Sequence, residues 1–271
     1  MSEALLPLAL ALLGTGAVAG LMAGLLGVGG GIVIVPVLFQ VLALMEVDDS
    51  VRMHLAVGTS LAVIIPTSLM SARAHWRRGA VDVGLLRRLG PWVFAGVVVG
   101  SIVGGQVSGA VLQAVFAGVA LLVALYMVWG REGQSLRPGL PPTPWRQLIG
   151  LGIGGLSVMM GIGGGTLSVP ILSLCGIAIR HAVATAAVIG VIIGLPGALG
   201  FILAGQGETA LPAYSLGYAN LLGVALIAPT SILLAPQGAR LAHSISPRWL
   251  RYAFGAFLLL TSIRMFIGLG G

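Results

Sequence analysis

Long apolar runs separated by short polar segments dominate the chain. Ten runs occur, at Ala4–Leu26, Ile32–Met45, His54–Ala72, Leu89–Val107, Ala110–Trp129, Gln147–Met160, Thr166–Ile179, Ala182–Ala204, Leu216–Pro236 and Leu250–Leu269. A helix needs about 20 apolar residues to cross a bilayer, and inside lipid its backbone polar groups must be paired within the helix. The pattern therefore predicts an all-α integral membrane protein with roughly eight to ten membrane helices.

Three of these runs are too short to cross a membrane. Ile32–Met45, Gln147–Met160 and Thr166–Ile179 contain 14 residues each. An α-helix of that length extends about 21 Å, against a hydrocarbon core of roughly 30 Å. Each short run lies next to a glycine cluster, either Gly27–Gly31 or Gly161–Gly165. We therefore expect short or broken helices whose glycine-rich loops dip into the membrane.

The chain contains an internal repeat. Gly27–Leu38 aligns without gaps with Gly161–Leu172, and both segments contain G-x-G-G-G followed five residues later by proline. Further along, Ala56–Ser60 (AVGTS) matches Ala182–Ala186 (AVATA) in the same order. The repeat divides the chain into a first membrane repeat at 1–129, a linker at 130–146 and a second membrane repeat at 147–271.

The arginines predict the orientation of these segments. All 14 basic residues are arginine, and basic residues gather in the cytoplasmic loops of membrane proteins. The Arg73–Arg88 cluster and the segments 130–146 and 236–249 are therefore predicted to be cytoplasmic, with Glu46 and Glu208 external. This arrangement needs five segments per half and external termini. It makes the two repeats inverted, as in many secondary transporters.

Composition narrows the class of protein. Charged residues make up 8% of the chain and apolar residues 58%, whereas a soluble domain carries about 25% charged residues. The net charge is +7. In a protein embedded in a lipid bilayer, basic residues of the cytoplasmic loops account for such a charge. We therefore expect no nucleic-acid partner. The single Cys175 excludes an internal disulfide. We expect no metal, no cofactor and no enzymatic activity, because no nucleophile–base pair or His cluster occurs with suitable spacing.

The glycine loops are the strongest candidates for chemistry. Backbone N–H groups of a glycine loop that leads into a helix attract anions, although small residues also let membrane helices pack closely. Hydroxyls inside the apolar runs can donate to an anion or bond to a nearby carbonyl, and the duplication of Thr59 and Thr185 favours the first role. The candidate substrate-binding residues are Gly27, Gly29, Gly30, Gly31, Thr59, Ser60, Gly161, Gly163, Gly164, Gly165, Thr166 and Thr185, with Pro36 and Pro170 as candidate hinges.

The chain resembles the sulfite exporter TauE/SafE family, also called the toluene sulfonate uptake permease family. The paired G-x-G-G-G-x-x-x-x-P motifs, the two A-V-x-T blocks, the His75–Asp82 loop and the Gln237–His243 segment carry the resemblance. It implies a multi-pass carrier of the bacterial inner membrane that transports sulfite, an organosulfonate or a related anion. The inverted repeats and the short helices predict alternating access at a site between the glycine loops. An anion channel or a membrane accessory subunit is the alternative. The coupling ion (H⁺ or Na⁺) and a homodimeric state stay open.

Overall fold

The computed structural model describes residues 2–26, 30–129, 139–242 and 247–269. The helices are α1 (Ser2–Leu26), α2 (Gly31–Leu44), α3 (Asp49–Arg77), α4 (Val83–Gln106), α5 (Gly109–Trp129), α6 (Trp145–Met159), α7 (Gly164–Leu174), α8 (Ile179–Ala204), α9 (Leu221–Ala242) and α10 (Pro247–Ile267). A hairpin of two short strands, β1 (Ser215–Leu216) and β2 (Ala219–Asn220), precedes α9. Gly27, Gly29 and most of the predicted linker lie outside the described residues.

The helices confirm the prediction of an all-α integral membrane protein. Within the described ranges, α3, α4, α5, α8 and the Leu221–Gly238 part of α9 are long and apolar enough to cross a bilayer. Large apolar side chains on the outer surface remain exposed, including Leu122 at 66%, Leu203 at 71% and Leu260 at 69%. Lipid is the solvent that suits such a surface, since contiguous apolar patches of this extent are rare on soluble monomers.

The three short apolar runs form three short helices. α2 has 14 residues, α6 has 15 and α7 has 11, so they extend about 21, 22 and 16 Å. None of them reaches across a hydrocarbon core of roughly 30 Å. Pro36 and Pro170, the candidate hinges, lie inside α2 and α7, and the chain remains helical on both sides of each proline.

The apolar run Leu216–Pro236 does not begin as a helix. Its first residues form the β1–β2 hairpin, in which Ser215 pairs with Asn220, and Gly217 supplies the positive φ of +52° that the turn needs. The Asn220 side chain then accepts a hydrogen bond from Gly223 N at 2.8 Å. This is the pattern of a residue that caps a helix N-terminus. The amide that the apolar pattern places within a membrane run therefore marks the start of α9.

Contacts between helices correspond in the two halves. α1 packs on α9 and α6 packs on α4; α2 packs on α3 and α7 packs on α8; α3 packs on α9 and α8 packs on α4. The pairs α3–α8 and α5–α10 join helices that hold the same position in each half. If each helix is replaced by its counterpart in the other half (α1 by α6, α2 by α7, and so on), the same set of contacts results. The counterparts α3 and α8 contact each other directly.

Glycines allow the corresponding helix pairs to approach closely. A methyl group on Gly96 or Gly154 would collide with backbone atoms across the α4–α6 contact. In the matching α1–α9 contact, a methyl group on Gly16 would lie 2.6 Å from the carbonyl oxygen of Ile227. Close backbone approach through small residues is a general device of membrane helix packing. It accounts for many of the 43 glycines without any role in ligand binding.

Candidate functional site

The second glycine cluster forms a tight, buried loop between α6 and α7. Ile162 N donates to Ser157 O at 2.9 Å and Gly161 N donates to Val158 O at 3.1 Å, which folds the chain back as α6 ends. Gly161 has a φ of +65°, a conformation that favours glycine. Gly163 is the N-cap residue of α7, and no side chain satisfies the first N–H groups of that helix.

Gly31 of the first glycine cluster meets Gly161 of the second in the interior. A methyl group on Gly31 would lie 2.8 Å from the carbonyl oxygen of Gly161 and 3.0 Å from Ile162 Cα. Ser60 Oγ donates a buried hydrogen bond of 2.7 Å to the same Gly161 oxygen. Gly30, at the N-cap of α2, has a φ of +68°. The structure therefore brings Gly30, Gly31, Ser60 and Gly161 together, whereas Gly27 and Gly29 lie outside the described residues.

The start of α7 is rich in buried donors that lack acceptors. An α-helix leaves its first N–H groups without partners inside the helix, and here they belong to Gly164, Gly165 and Thr166. Thr166 Oγ1 and the nearby Ser157 and Ser168 hydroxyls are buried and have no hydrogen-bond partner among the described residues. Buried polar groups normally have a partner. An anion is the kind of ligand that would supply acceptors to these donors.

Thr59 and Thr185 have hydrogen-bond partners of their own within the protein. Thr59 Oγ1 accepts a hydrogen bond from Asn220 N at 2.9 Å, and Thr185 Oγ1 accepts one from Asp82 N at 3.1 Å. Asn220 caps α9, and Asp82 caps α4 through a 2.9 Å bond from Leu85 N to Asp82 Oδ1. We call these two interactions the threonine–cap contacts. Each joins a helix of one half to the start of a helix in the other.

Two histidines contact the segments that precede Asp82 and Asn220. His181 Nδ1 donates to Ala80 O at 2.9 Å, two residues before Asp82. His54 Nε2 donates to Val107 O at 3.0 Å, and its ring stacks on Tyr218, two residues before Asn220, with centroids 4.7 Å apart. Burial raises the pKa of the Tyr218 phenol above its usual value, so this side chain is neutral at physiological pH. Both histidines therefore have structural contacts, and the described residues contain no group of three metal-ligating side chains.

A cavity of about 120 Å³ adjoins one threonine–cap contact. It lies between α1, α2, α3 and the start of α9, with Thr59, Asn220 and Gly223 at its polar end. Its other walls are mostly apolar and include Leu12, Leu38 and Leu42. The cavity therefore lies beside the first-half threonine rather than at the glycine clusters.

Some of these residues could not be selected from the sequence. Ser157 is a single hydroxyl residue in a glycine-rich run, and Asp82 has the sequence context of an exposed acidic residue in a loop. The role of Asp82 arises from a tertiary contact with a residue 103 positions away. Only the Asp82 N-cap pattern before a helix carries a local signal.

Comparisons with known proteins agree with this architecture. The model of the family described as Sulfite exporter TauE/SafE matches residues 12–265. A probable membrane transporter protein of Haemophilus influenzae is 35% identical over 254 residues, which cover 93% of this chain and 96% of that protein. A probable membrane transporter protein of Methanocaldococcus jannaschii is 26% identical over 274 residues, 97% of this chain and 96% of that relative. No solved structure gives a significant match. The chain therefore belongs to the sulfite exporter TauE/SafE family.

Proposed function

We propose that this protein is a secondary transporter of a small anion, sulfite or an organosulfonate, which binds between the two glycine clusters. The observation that carries the proposal is the start of α7, where free N–H groups and an unpartnered hydroxyl on Thr166 lie buried beside glycine. The family and the names of the relatives support membrane transport. Sulfite and sulfonates suit such a site because their oxygens accept several hydrogen bonds at once.

The chemistry of the proposed site is electrostatic. The N–H groups at the start of a helix carry partial positive charge, and the helix dipole favours an anion there. Hydrogen bonds to an anion are roughly twice as strong as those between neutral groups. Within a water-poor interior these interactions replace part of the hydration that the anion loses. The glycines at 161–165 contribute by leaving the backbone uncovered, so an anion can approach it.

Alternating access is the transport mode that we propose. The correspondence of helix contacts supports two repeats related by a pseudo-twofold axis between α3 and α8. The arginine distribution, with five segments per half, supports repeats that are inverted. The threonine–cap contacts lie on these two helices, one on each. In the proposed orientation the loop before α4 faces the cytoplasm and the loop before α9 faces the outside of a bacterial inner membrane, as the arginine distribution predicts.

Reconstituted vesicles test this function. The purified full chain is placed in liposomes loaded with sulfite, an alkylsulfonate, an arylsulfonate or sulfate, and efflux is followed against protein-free liposomes. We expect protein-dependent efflux of at least one anion that saturates with concentration. Efflux that rises without saturation would favour a channel, and no efflux of any anion would contradict the proposal. Imposed Na⁺ and pH gradients identify the coupling ion, and cross-linking in the same vesicles tests whether the protein forms a homodimer.

A further inference from the structure

The cavity beside Thr59 contains one hydrogen-bond donor that lacks an acceptor. The Thr59 oxygen accepts from Asn220 N, so the O–H group of Thr59 remains available as a donor. Three other helical threonines donate to a carbonyl one turn earlier, namely Thr15, Thr67 and Thr230. Thr59 donates to no acceptor among the described residues, although it is 1% exposed and lines the cavity. A buried donor normally has a partner, so a ligand in the cavity is the natural acceptor.

The other polar atoms at this end of the cavity are already paired. Asn220 Oδ1 accepts from Gly223 N at 2.8 Å. Asn220 Nδ2 donates to Ala213 O at 3.1 Å and to Ser215 Oγ at 3.2 Å. The described residues that line the cavity are all uncharged, and most are apolar. A matching ligand therefore has an apolar body, one acceptor and no charge.

The cavity is large enough for a small ring compound. Its volume of about 120 Å³ is close to the volume of about 150 Å³ of an engineered protein cavity that binds benzene. Met45 and Tyr214 are its exposed lining residues, so they mark the side at which it opens, and Thr59 lies at the closed end. A lipid chain that entered from this side would place its methyl terminus at Thr59 and leave the hydroxyl without an acceptor.

In the second half of the chain a leucine fills the corresponding place. Gly223 and Leu85 hold equivalent positions, because the N–H group of each donates to the capping side chain of a threonine–cap contact. Leu85 is buried and packs with Leu172, which aligns with Leu38 of the cavity wall. The first half therefore has a cavity because the first turn of α9 carries glycine where α4 carries leucine.

We propose that this cavity binds a small neutral organic molecule that has an apolar body and one acceptor oxygen, such as a ketone. The Thr59 hydroxyl donates to the oxygen, and the leucines of α1 and α2 contact the body. The site is separate from the proposed anion site and does not depend on it. Its wall includes Thr59 of α3 and Asn220 of α9, so the ligand stabilises the conformation in which this threonine–cap contact joins the two halves.

Ligand-observed NMR on the purified full chain in lipid nanodiscs measures binding. The probes are cyclopentanone and methylenecyclopentane, which have nearly the same shape but differ in the acceptor oxygen. We expect both to bind, and Thr59→Val should weaken only cyclopentanone binding, by about fivefold, the contribution of one neutral hydrogen bond. Thr59→Ser keeps the donor and should keep the preference for the ketone. Cyclopentanone should also raise the Tm of the wild-type protein.

A second set of variants tests the location of the site. Gly223→Leu gives α9 the residue that α4 has, and its Cβ would lie 3.1 Å from Thr59 Cγ2 at the polar end. This variant should abolish binding of both probes. Gly118→Leu adds the same side chain on α5, where no atom lies within 4 Å of the new Cβ. As the matched control it should bind both probes like the wild-type protein.

Three outcomes would overturn this inference. The first is that the wild-type protein binds neither probe. The second is that Gly223→Leu binds the probes as well as Gly118→Leu does, because binding would then lie outside the cavity. The third is that Thr59→Val keeps the full preference for cyclopentanone. Should Gly223→Leu not fold, Leu38→Phe fills the cavity from α2 instead. Anion flux in vesicles is measured separately, so failure of this inference leaves the proposed function standing, and the reverse also holds.

Discussion

Replacing Thr59 or Thr185 with valine should destabilise the folded protein. Valine has nearly the shape of threonine, so the substitution removes the hydroxyl and little else. In the structure each hydroxyl accepts a hydrogen bond from a backbone N–H, at Asn220 or at Asp82. Each valine variant therefore leaves one N–H group without its acceptor at the start of a helix in the opposite half.

The burial of these groups determines how much stability each valine variant loses. A buried donor without an acceptor costs about 1–3 kcal/mol. Thr59 is 1% exposed and Thr185 is fully buried, but Asn220 and Asp82 are only half-buried. Water can partly replace the lost acceptor, so we expect about 1–2 kcal/mol for each variant. The two contacts share no residue, and the double variant should therefore lose about 2–4 kcal/mol.

Reversible unfolding in mixed micelles measures this loss, with anion affinity determined on the same samples. Thr59→Ser and Thr185→Ser are the controls, because serine keeps the hydroxyl and should keep most of the stability. Anion affinity of the folded valine variants should change less than their stability. The reasoning would be refuted if valine left the free energy of unfolding unchanged and lowered anion affinity. That result would mean that the hydroxyls bind the anion directly.

Three further predictions concern the glycine clusters and the topology. Gly31→Ala should lower stability by about 1–3 kcal/mol in the same unfolding assay, since its methyl group would lie 2.8 Å from Gly161 O and 2.9 Å from Ile64 Cδ1. Gly118→Ala is the control, because no atom lies within 4 Å of its new methyl group, and it should be neutral or slightly stabilising. An equal loss of stability in Gly31→Ala and Gly118→Ala would contradict the packing argument. Ser60→Ala should cost about 1–3 kcal/mol by unfolding, because Gly161 O loses its buried donor, and Ser60→Thr tests whether a hydroxyl suffices. In a Cys175→Ala background, a cysteine at Arg78 should react with impermeant reagent only from the cytoplasmic side and one at Glu208 only from outside; the reverse pattern would overturn the orientation.

The sequence was sufficient to predict the helices because lipid imposes a strong local rule. Every backbone polar group in the hydrocarbon region must be paired, so long apolar runs become helices. The short runs became the short helices α2, α6 and α7 for the same reason, and the glycine clusters lie at their ends. The exception was Leu216–Asn220, where hydropathy alone could not reveal that Gly217 turns the chain and Asn220 starts a helix.

The partners of the candidate side chains could not be predicted in this way. Thr59 and Asn220 are 161 positions apart in the sequence, and no periodicity relates them. Ser60 and Gly161 are likewise 101 positions apart. Hydropathy specifies which segments are helical, but it does not specify which faces of those helices meet.

The pseudo-symmetry of the fold helps to distinguish structural groups from candidate ligands. The threonine–cap contacts occur once in each half, and each uses a hydroxyl to fix a helix start in the other half. The unpartnered hydroxyls of Thr166 and Ser168 occur only in the second half, where the first half has isoleucine. A group needed to hold two similar halves together is expected in both. A single substrate on a pseudo-twofold axis, by contrast, cannot interact identically with the two halves unless it shares their symmetry. Sulfite and sulfonates have a threefold rather than a twofold arrangement of oxygens, so donors present in only one half are the better candidates for binding them.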